Sequence, residues 1–567
     1  MRVLLTTLHS KFIHASLALP YLAAYCADLD IEIDIVEFTV HEPRENILAA
    51  ILERQVDVVA FSVYLWNRRE TLDLIDALAV VRPELRLIVG GPEVSFDSAE
   101  LFERHPGLTA VVRGEGEIPL HGLLQAWNEE RLPQAVPRLL WRDGANLQEG
   151  PDAPPLADLD NIPSPFASGL VDMERGFVYY ETSRGCPYRC SFCMSALDQS
   201  VRSFSMDRIK SDLGLLMERR VPKIKLVDRT FNYDARRSRE IFSYILEHNR
   251  GSHFHFEIGA HLLDGATLDL LETVPDDMFQ FEIGVQSTLD DTLARIERQT
   301  SLERLTDNVV RLRHRGNIHL HLDLIAGLPG ETYPEFIASI DRVLTLRPHH
   351  LQIEPVKLLP GAPLRLQAHQ WQLAFDPNPP YAVLQTPDLS HDELQRLQGI
   401  SRLLDLTYNS NRCSGFLEGL TELTGSTAKG LEMVEEHWRQ QGTFRYPLSQ
   451  RGVFEQLDAF IEAKIAPVAQ TRLRELLARD FALSERVAPN NPPPFFDTRL
   501  NDDETGWVRD QVQQITEEKR GSGFKVQFFS AVFQHLASPP QRQVRLFLYL
   551  TATGKGQQIE ERIFPTS

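Results

Sequence analysis

Cysteine is scarce in this chain, with five in 567 residues. So few thiols exclude a disulfide framework at this length and suit a reducing, cytoplasmic setting. Basic excess is lacking too: 59 Lys and Arg stand against 79 Asp and Glu, a net charge of −20. That balance argues against sequence-independent binding to nucleic acid, which rests on basic contacts to phosphate, and no such partner is expected. No apolar run approaches the ~20 residues that a membrane-spanning helix needs, so no membrane partner is expected either. Residues 1–7 read as a strand, not as a secretory leader with a cleavage site.

Three of the five cysteines stand together. Cys186, Cys190 and Cys193 form a C-x3-C-x2-C loop directly after an apolar run at 176–180. Three thiolates at this spacing can hold three irons of a 4Fe–4S cluster. No fourth cysteine follows nearby, which leaves one iron open to a substrate or cofactor. The competing readings are zinc or a chance grouping, but zinc asks for a further C-x-x-C or a His pair downstream. Cys26, in a predicted helix, reads as core, and Cys413 as structural or incidental.

The chain is too long for one core, so three or more domains are expected. Residues 1–125 alternate apolar strands (3–7, 31–38, 56–62, 85–89, 109–113) with helix-length segments, the rhythm of a parallel sheet covered on both faces. This predicts a doubly wound, Rossmann-like α/β domain with ligands beyond the carboxyl ends of its strands. Residues 126–175, rich in Pro and Asp, read as a linker with a hairpin near Arg138, Trp141 and Gly144. Residues 176–365 carry six further strand candidates separated by helices, an open (β/α)6 partial barrel. Two of these strands echo each other, Phe-Glu-Ile-Gly at 256–259 and again at 281–284. Glu257 and Glu282 should therefore share a register and face a polar cavity or a cation, because buried carboxylates are costly alone. An arginine-paired structural carboxylate is the plainer alternative. Residues 366–567 read as mostly helical, over 390–408, 415–441 and 447–479, and then as strands over 524–551.

The cysteine loop, with the aromatic Phe192 before its last cysteine, resembles the signature of radical SAM enzymes. The resemblance implies that the open iron chelates S-adenosylmethionine, whose reductive cleavage yields methionine and a 5′-deoxyadenosyl radical. It implies an electron donor such as flavodoxin or ferredoxin, Phe192 near the adenine, and S-adenosylmethionine contacts from Glu257, Glu282, Gln286, Arg298 and Asp323. Arg298 is a candidate for the methionine carboxylate. Lys225, Asp228 and Asn232 occupy the region where the family contacts the methionine amino group, but the usual Gly-Gly-Glu is absent.

The first 125 residues resemble the cobalamin-binding domain of cobalamin-dependent radical SAM enzymes. Implied cobalamin contacts are Thr7, Ser62, Tyr64, Trp66, Asn67, Gly90, Gly91, Pro92 and Glu93, followed by Gly114, Glu115, Gly116 and Glu117. An Asp-x-His-x-x-Gly sequence is missing, so the resemblance implies cobalamin without a His ligand, its lower face covered by Tyr64 or Trp66. The alternative for Trp66 is packing against the helix that begins near Arg68. His9 and His14 read as surface or loop histidines.

The two cofactors together imply methylation of an unactivated carbon through methylcobalamin, on a small-molecule or peptide substrate selected by the C-terminal region. A radical rearrangement, ring contraction or cyclisation without methyl transfer is the alternative within the family. A cobalamin or iron–sulfur sensor is the alternative outside it.

Overall fold

The computed structural model describes residues 1–11, 13–520, 523–537, 539–552 and 555–564. It divides into two units, Met1–Glu331 with Pro355–Ser390, and Thr332–Glu354 with His391–Ser567.

The first unit opens with β1 (Arg2–His9), β2 (Glu32–Thr39), β3 (Val58–Ser62), β4 (Arg86–Gly90) and β5 (Leu108–Val112). These five are parallel in the order β2-β1-β3-β4-β5, a doubly wound arrangement whose chain reverses between β1 and β3. Successive side chains of a strand point to opposite faces. Leu4 accordingly joins one apolar cluster, with Val59 and Leu87, and Leu5 the other, with Val58 and Ile88. Both faces are core. The hairpin expected in the Pro-rich stretch extends this sheet as antiparallel β6 (Leu139–Asp143) and β7 (Asn146–Glu149).

A second sheet follows. It comprises β8 (Phe177–Tyr180), β11 (Lys223–Leu226), β12 (His253–Ile258), β13 (Phe279–Gln286) and β14 (His319–Ala326), all parallel and paired in that sequence. A short antiparallel clip, β9 (Ser183–Arg184) with β10 (Arg202–Ser203), brackets the cysteine loop. The sixth strand of the succession, β15 (His350–Pro355), falls almost wholly in the second unit.

Helices between these strands start at side-chain caps: Ser205 accepts from the Arg208 amide, Asp234 from Arg237 and Ser301 from Arg304. Such caps satisfy backbone donors that the first turn leaves open. Here burial alternates. Phe254, Phe256, Phe279 and Phe281 are fully buried, with Phe242 of the helix Ala235–His248 packing at 5.1 Å from Phe256. The intervening His255, Glu257, Gln280, Glu282, His321 and Asp323 turn to the other face.

The second unit is helical over His391–Leu406, Ser414–Thr424, Thr427–Gln440, Gln450–Lys464 and Pro467–Ser484. The helices expected at 415–441 and 447–479 are each two. Gly425 adopts a left-handed φ of +73° and Ser426 caps the next helix, while Pro467 opens another after an extended Ile465. Strands Phe524–Phe533, Gln543–Ala552 and Lys555–Ile563 form an antiparallel sheet against the helix Asp502–Glu518. Among the described residues, no helix is long and apolar enough to cross a membrane.

Candidate active site

A cavity of about 710 Å³ opens at the carboxyl ends of β1, β3 and β4. Ser62, Tyr64, Trp66, Gly90, Gly91 and Pro92 line it, as does the whole 114–117 turn. Gly91 has φ +111°, and a Cβ there would stand 2.5 Å from the Val63 carbonyl oxygen. Only glycine fits that approach. The Tyr64 and Trp66 rings stack with centroids 4.7 Å apart, and the Trp66 indole donates to the Leu8 carbonyl at 3.0 Å. Trp66 is thereby held as an aromatic shelf, still 46% exposed.

Three residues expected on this cavity support it from behind instead. The Thr7 hydroxyl donates to the Ser62 carbonyl at 2.8 Å. Asn67 donates to the Leu8 carbonyl at 2.9 Å and accepts from the Tyr64 amide at 2.7 Å, which fixes the aromatic loop. Glu93 is buried against the Tyr381 hydroxyl and Arg68. Two residues read as surface or loop histidines line the cavity wall, His9 from the end of β1 and His14 from the loop that follows. His9 is buried, 3.4 Å from Glu37, and His14 Nδ1 lies 2.9 Å from the Tyr179 hydroxyl. Burial, and then Lys225, pushes the His14 imidazole below its usual range. His9 is the last residue of β1, so the strand-end rule could have found it.

The cysteine loop leaves the clip at Gly185, whose φ of +89° and 2.3 Å virtual Cβ contact with the Ser200 carbonyl also demand glycine. The Cys186 amide donates to the Asp198 carbonyl at 3.0 Å, and the Cys193 amide to the Cys190 carbonyl at 2.9 Å. Cys186 and Cys190 are buried, and Cys193 is half-buried. Arg298 donates to the Gly284 carbonyl at 3.1 Å, reaches Cys190 Sγ at 3.7 Å and lies over the Tyr188 ring. Burial raises the Cys190 thiol and Arg298 pulls it back. His261, bonded to the Tyr188 and Thr300 hydroxyls, is driven down to about 4 by burial and then Arg298. Phe192 is half-buried beside Cys193 and is not part of the cavity wall.

The strand pairing sets Glu257 opposite Glu282, as the sequence echo predicts. Glu282 lies 3.1 Å from His255 Nε2, a hydrogen bond that holds its carboxyl below the usual range. Glu257 lines the cavity, and burial followed by Glu282 pushes it up to about 7. Asp323 lies 3.1 Å from His321 Nε2 on the same face, its carboxyl raised by burial. Gln286 ends β13 at φ +70°. Asp228 is fully buried and accepts from the Thr182 amide at 3.0 Å, and Asn232 is spent on Gly259 in both directions. Both brace the strand ends. Lys225 lies over the Phe177 ring at 4.7 Å.

The B12 binding domain family matches residues 3–124, and the Radical SAM superfamily matches residues 180–343. The chain carries both of the domains that make up cobalamin-dependent radical SAM enzymes. A third match, to a protein of unknown function (DUF4080), covers residues 369–530. The cobalamin-dependent radical SAM methyltransferase TokK of Streptomyces tokunonensis is 30% identical over 60% of this chain and 53% of its own. The 2-(S-pantetheinyl)-carbapenam-3-carboxylate methyltransferase of Streptantibioticus cattleyicolor is 29% identical over 54% and 48%. The chain thus spans about half the length of these relatives. In fold it is similar to the cobalamin-dependent radical enzyme OxsB, with a TM-score of 0.58 at 17% identity over 84% of this chain and 78% of that one. It is likewise similar to the methyltransferase TsrM of Kitasatospora setae, with 0.55 at 19% over 67% and 79%.

The family brings a 4Fe–4S cluster, S-adenosylmethionine and cobalamin, and the residues present fit them. Among the described residues, no three His, Cys, Asp or Glu side chains converge on one metal ion. A cluster does not ask for that, because each thiolate takes its own iron. The Gly91 cradle and the Tyr64–Trp66 shelf give a flat macrocycle backbone to lie on and an aromatic face to meet.

Proposed function

We propose that this protein is a C-methyltransferase that transfers a methyl group through cobalamin to an unactivated carbon of a small molecule. One observation carries the reading: the strand-end loops of the first sheet and the cysteine loop open on the same cavity. Its wall includes Ser62 and Gly91 of the first sheet, Gly185 and Met194 of the cysteine loop region, and Arg229 and Glu257 of the second sheet's strand ends. When bound, S-adenosylmethionine at the reduced cluster supplies hydrogen abstraction, and cobalamin supplies a transferable methyl group.

The chain supplies placement. Cys186, Cys190 and Cys193 hold the cluster, with Arg298 beside Cys190 offsetting thiolate charge in a buried loop. Ser62, the Gly90-Gly-Pro turn and residues 114–117 would hold cobalamin, with the Tyr64–Trp66 stack offering an aromatic surface to it. Glu282, Gln286 and Asp323 on the inner face, with Phe192, hold S-adenosylmethionine. Glu257, whose carboxyl titrates near neutrality, presents either an acceptor or a donor at its Oε atoms to a ligand hydroxyl or amine. The relatives named as methyltransferases support the methyl-transfer reading.

The test is anaerobic full-length protein reconstituted with iron, sulfide and cobalamin, then given S-adenosylmethionine, a strong reductant and candidate substrates. Formation of both 5′-deoxyadenosine and S-adenosylhomocysteine, with a methylated product, is expected. Deoxyadenosine alone in the presence of a turned-over substrate would replace methyl transfer with a radical rearrangement.

A further inference from the structure

The cysteine loop is tied to the first sheet by two half-buried arginines. Arg184 and Arg202 are direct cross-strand partners in the β9–β10 clip. Like charges set opposite each other are destabilising, and buried charges need partners. Four carboxylates provide them. Arg184 reaches Glu117 at 2.7 Å and Glu181 at 2.8 Å; Arg202 reaches Asp198 at 2.7 Å and takes Glu115 with both terminal nitrogens, at 2.5 and 3.1 Å. Side-chain exposure is only 14% for Arg184 and 11% for Arg202, so these pairs are little screened by solvent.

The connectivity is what gives this cluster a role. Glu115 and Glu117 belong to the turn after β5 that lines the cavity on the cobalamin side. Arg184 stands two residues before Cys186, and Asp198 holds Cys186 at the other end of the loop through its carbonyl. Arg202 also bonds the Leu156 carbonyl at 2.6 Å, in the segment joining the two sheets. The turn and the loop are therefore clamped at both ends of the loop, bidentately between Arg202 and Glu115 and through one nitrogen between Arg184 and Glu117. Guanidinium forks fix direction as well as distance, which a lysine would not.

We propose that Arg184 and Arg202 are positioning residues that set the offset between the iron–sulfur cluster and cobalamin by locking the cysteine loop to the 114–117 turn. The inference rests on the cofactor assignment above, and the experiment separates the two. Full-length protein would be loaded with cluster and cobalamin, reduced to the cluster(1+) and cob(II)alamin states, and examined by electron paramagnetic resonance. Spin–spin coupling between the centres reports their separation without any turnover. Iron, sulfide and cobalamin content would be measured on the same samples.

Wild type should show one well-defined coupling. Arg202→Met at unchanged cofactor content should lose it, giving a weakened or spread interaction, and Arg202→Lys should restore it in part. Coupling identical to wild type in a fully loaded Arg202→Met protein overturns the clamp. Failure of wild type to hold both cofactors overturns the assignment beneath it. Should Arg202→Met fail to load, Glu115→Ala removes the same contact from the turn side and is read in the same way. An unchanged coupling there is equally fatal to the proposal.

Discussion

The two parallel sheets of the first unit share a βα rhythm and differ in what they do with their faces. β1 is buried at every position after its first residue, and its neighbour Leu residues feed two separate cores. β13 alternates strictly, with apolar residues on the helix side and Gln280, Glu282 and Gln286 on the other. A sheet covered twice has no free face, so chemistry is pushed to its strand ends. A sheet curled into a partial barrel keeps one face for ligands. The same local topology thus yields a rim site in one half and a lining in the other, and the cavity draws on both.

The largest expected effect tests the point where the halves serve one chemistry. Cys190→Ala should abolish cluster loading and lower S-adenosylmethionine cleavage by about three orders of magnitude or more, read by iron content and deoxyadenosine yield. Cobalamin retention by that variant should be unchanged. If cobalamin is lost as well, the halves are not the separate binding surfaces argued above.

Truncation of core residues sharpens the contrast of faces. Leu4→Ala and Leu5→Ala should each cost roughly 2–5 kcal/mol in denaturant unfolding, because both faces of β1 are core. In β13, Phe281→Ala should cost about 3–5 kcal/mol, whereas Gln280→Ala should stay within about 0.5 kcal/mol. Equal costs at residues 280 and 281 would break the comparison.

Glu257 gives a pH-dependent version. Its folded pKa is raised to about 7 from an ordinary carboxyl value, so the folded state binds the proton more tightly than the unfolded chain. Stability therefore falls as pH rises through the window from about 4.5 to 7 and stays reduced above it. Glu257→Gln should remove this loss, making the unliganded variant more stable than wild type at pH 8 by roughly 2–3 kcal/mol and little different at pH 4. No such crossover in unfolding curves would deny the burial of that carboxyl. At the strand ends, Gly91→Ala strains the backbone at φ +111° and should cost about 1–3 kcal/mol. It should also reduce cobalamin retained after gel filtration.

What the sequence made legible was local. Strand rhythm, the cysteine spacing and the repeated Phe-Glu-Ile-Gly are all read within a few residues, and the register of Glu257 with Glu282 follows from that repeat. The breaks at Gly425 and Pro467 were equally local but were masked by continuous apolar spacing. Contacts between distant segments were not legible. Glu117 and Arg184 are 67 positions apart and Glu115 and Arg202 are 87, so the pairing of both carboxylates of the 114–117 turn with arginines leaves no local sign. The surroundings of Arg298 were hidden for the same reason: it meets the Gly284 carbonyl and a thiol 108 positions away.

The β6–β7 hairpin has a consequence for the chain's behaviour in company. A parallel sheet ending at β5 would present a buried-type strand, Leu108–Val112, with a row of open backbone groups. Such an edge is a template for pairing with a second molecule. The hairpin occupies that edge and exchanges it for β7, a four-residue strand exposed at every position and closed by Glu149. Short, solvated and charged, it gives an incoming strand little to extend. Deleting residues 139–149 should therefore be felt first as self-association during expression, before any cofactor is bound.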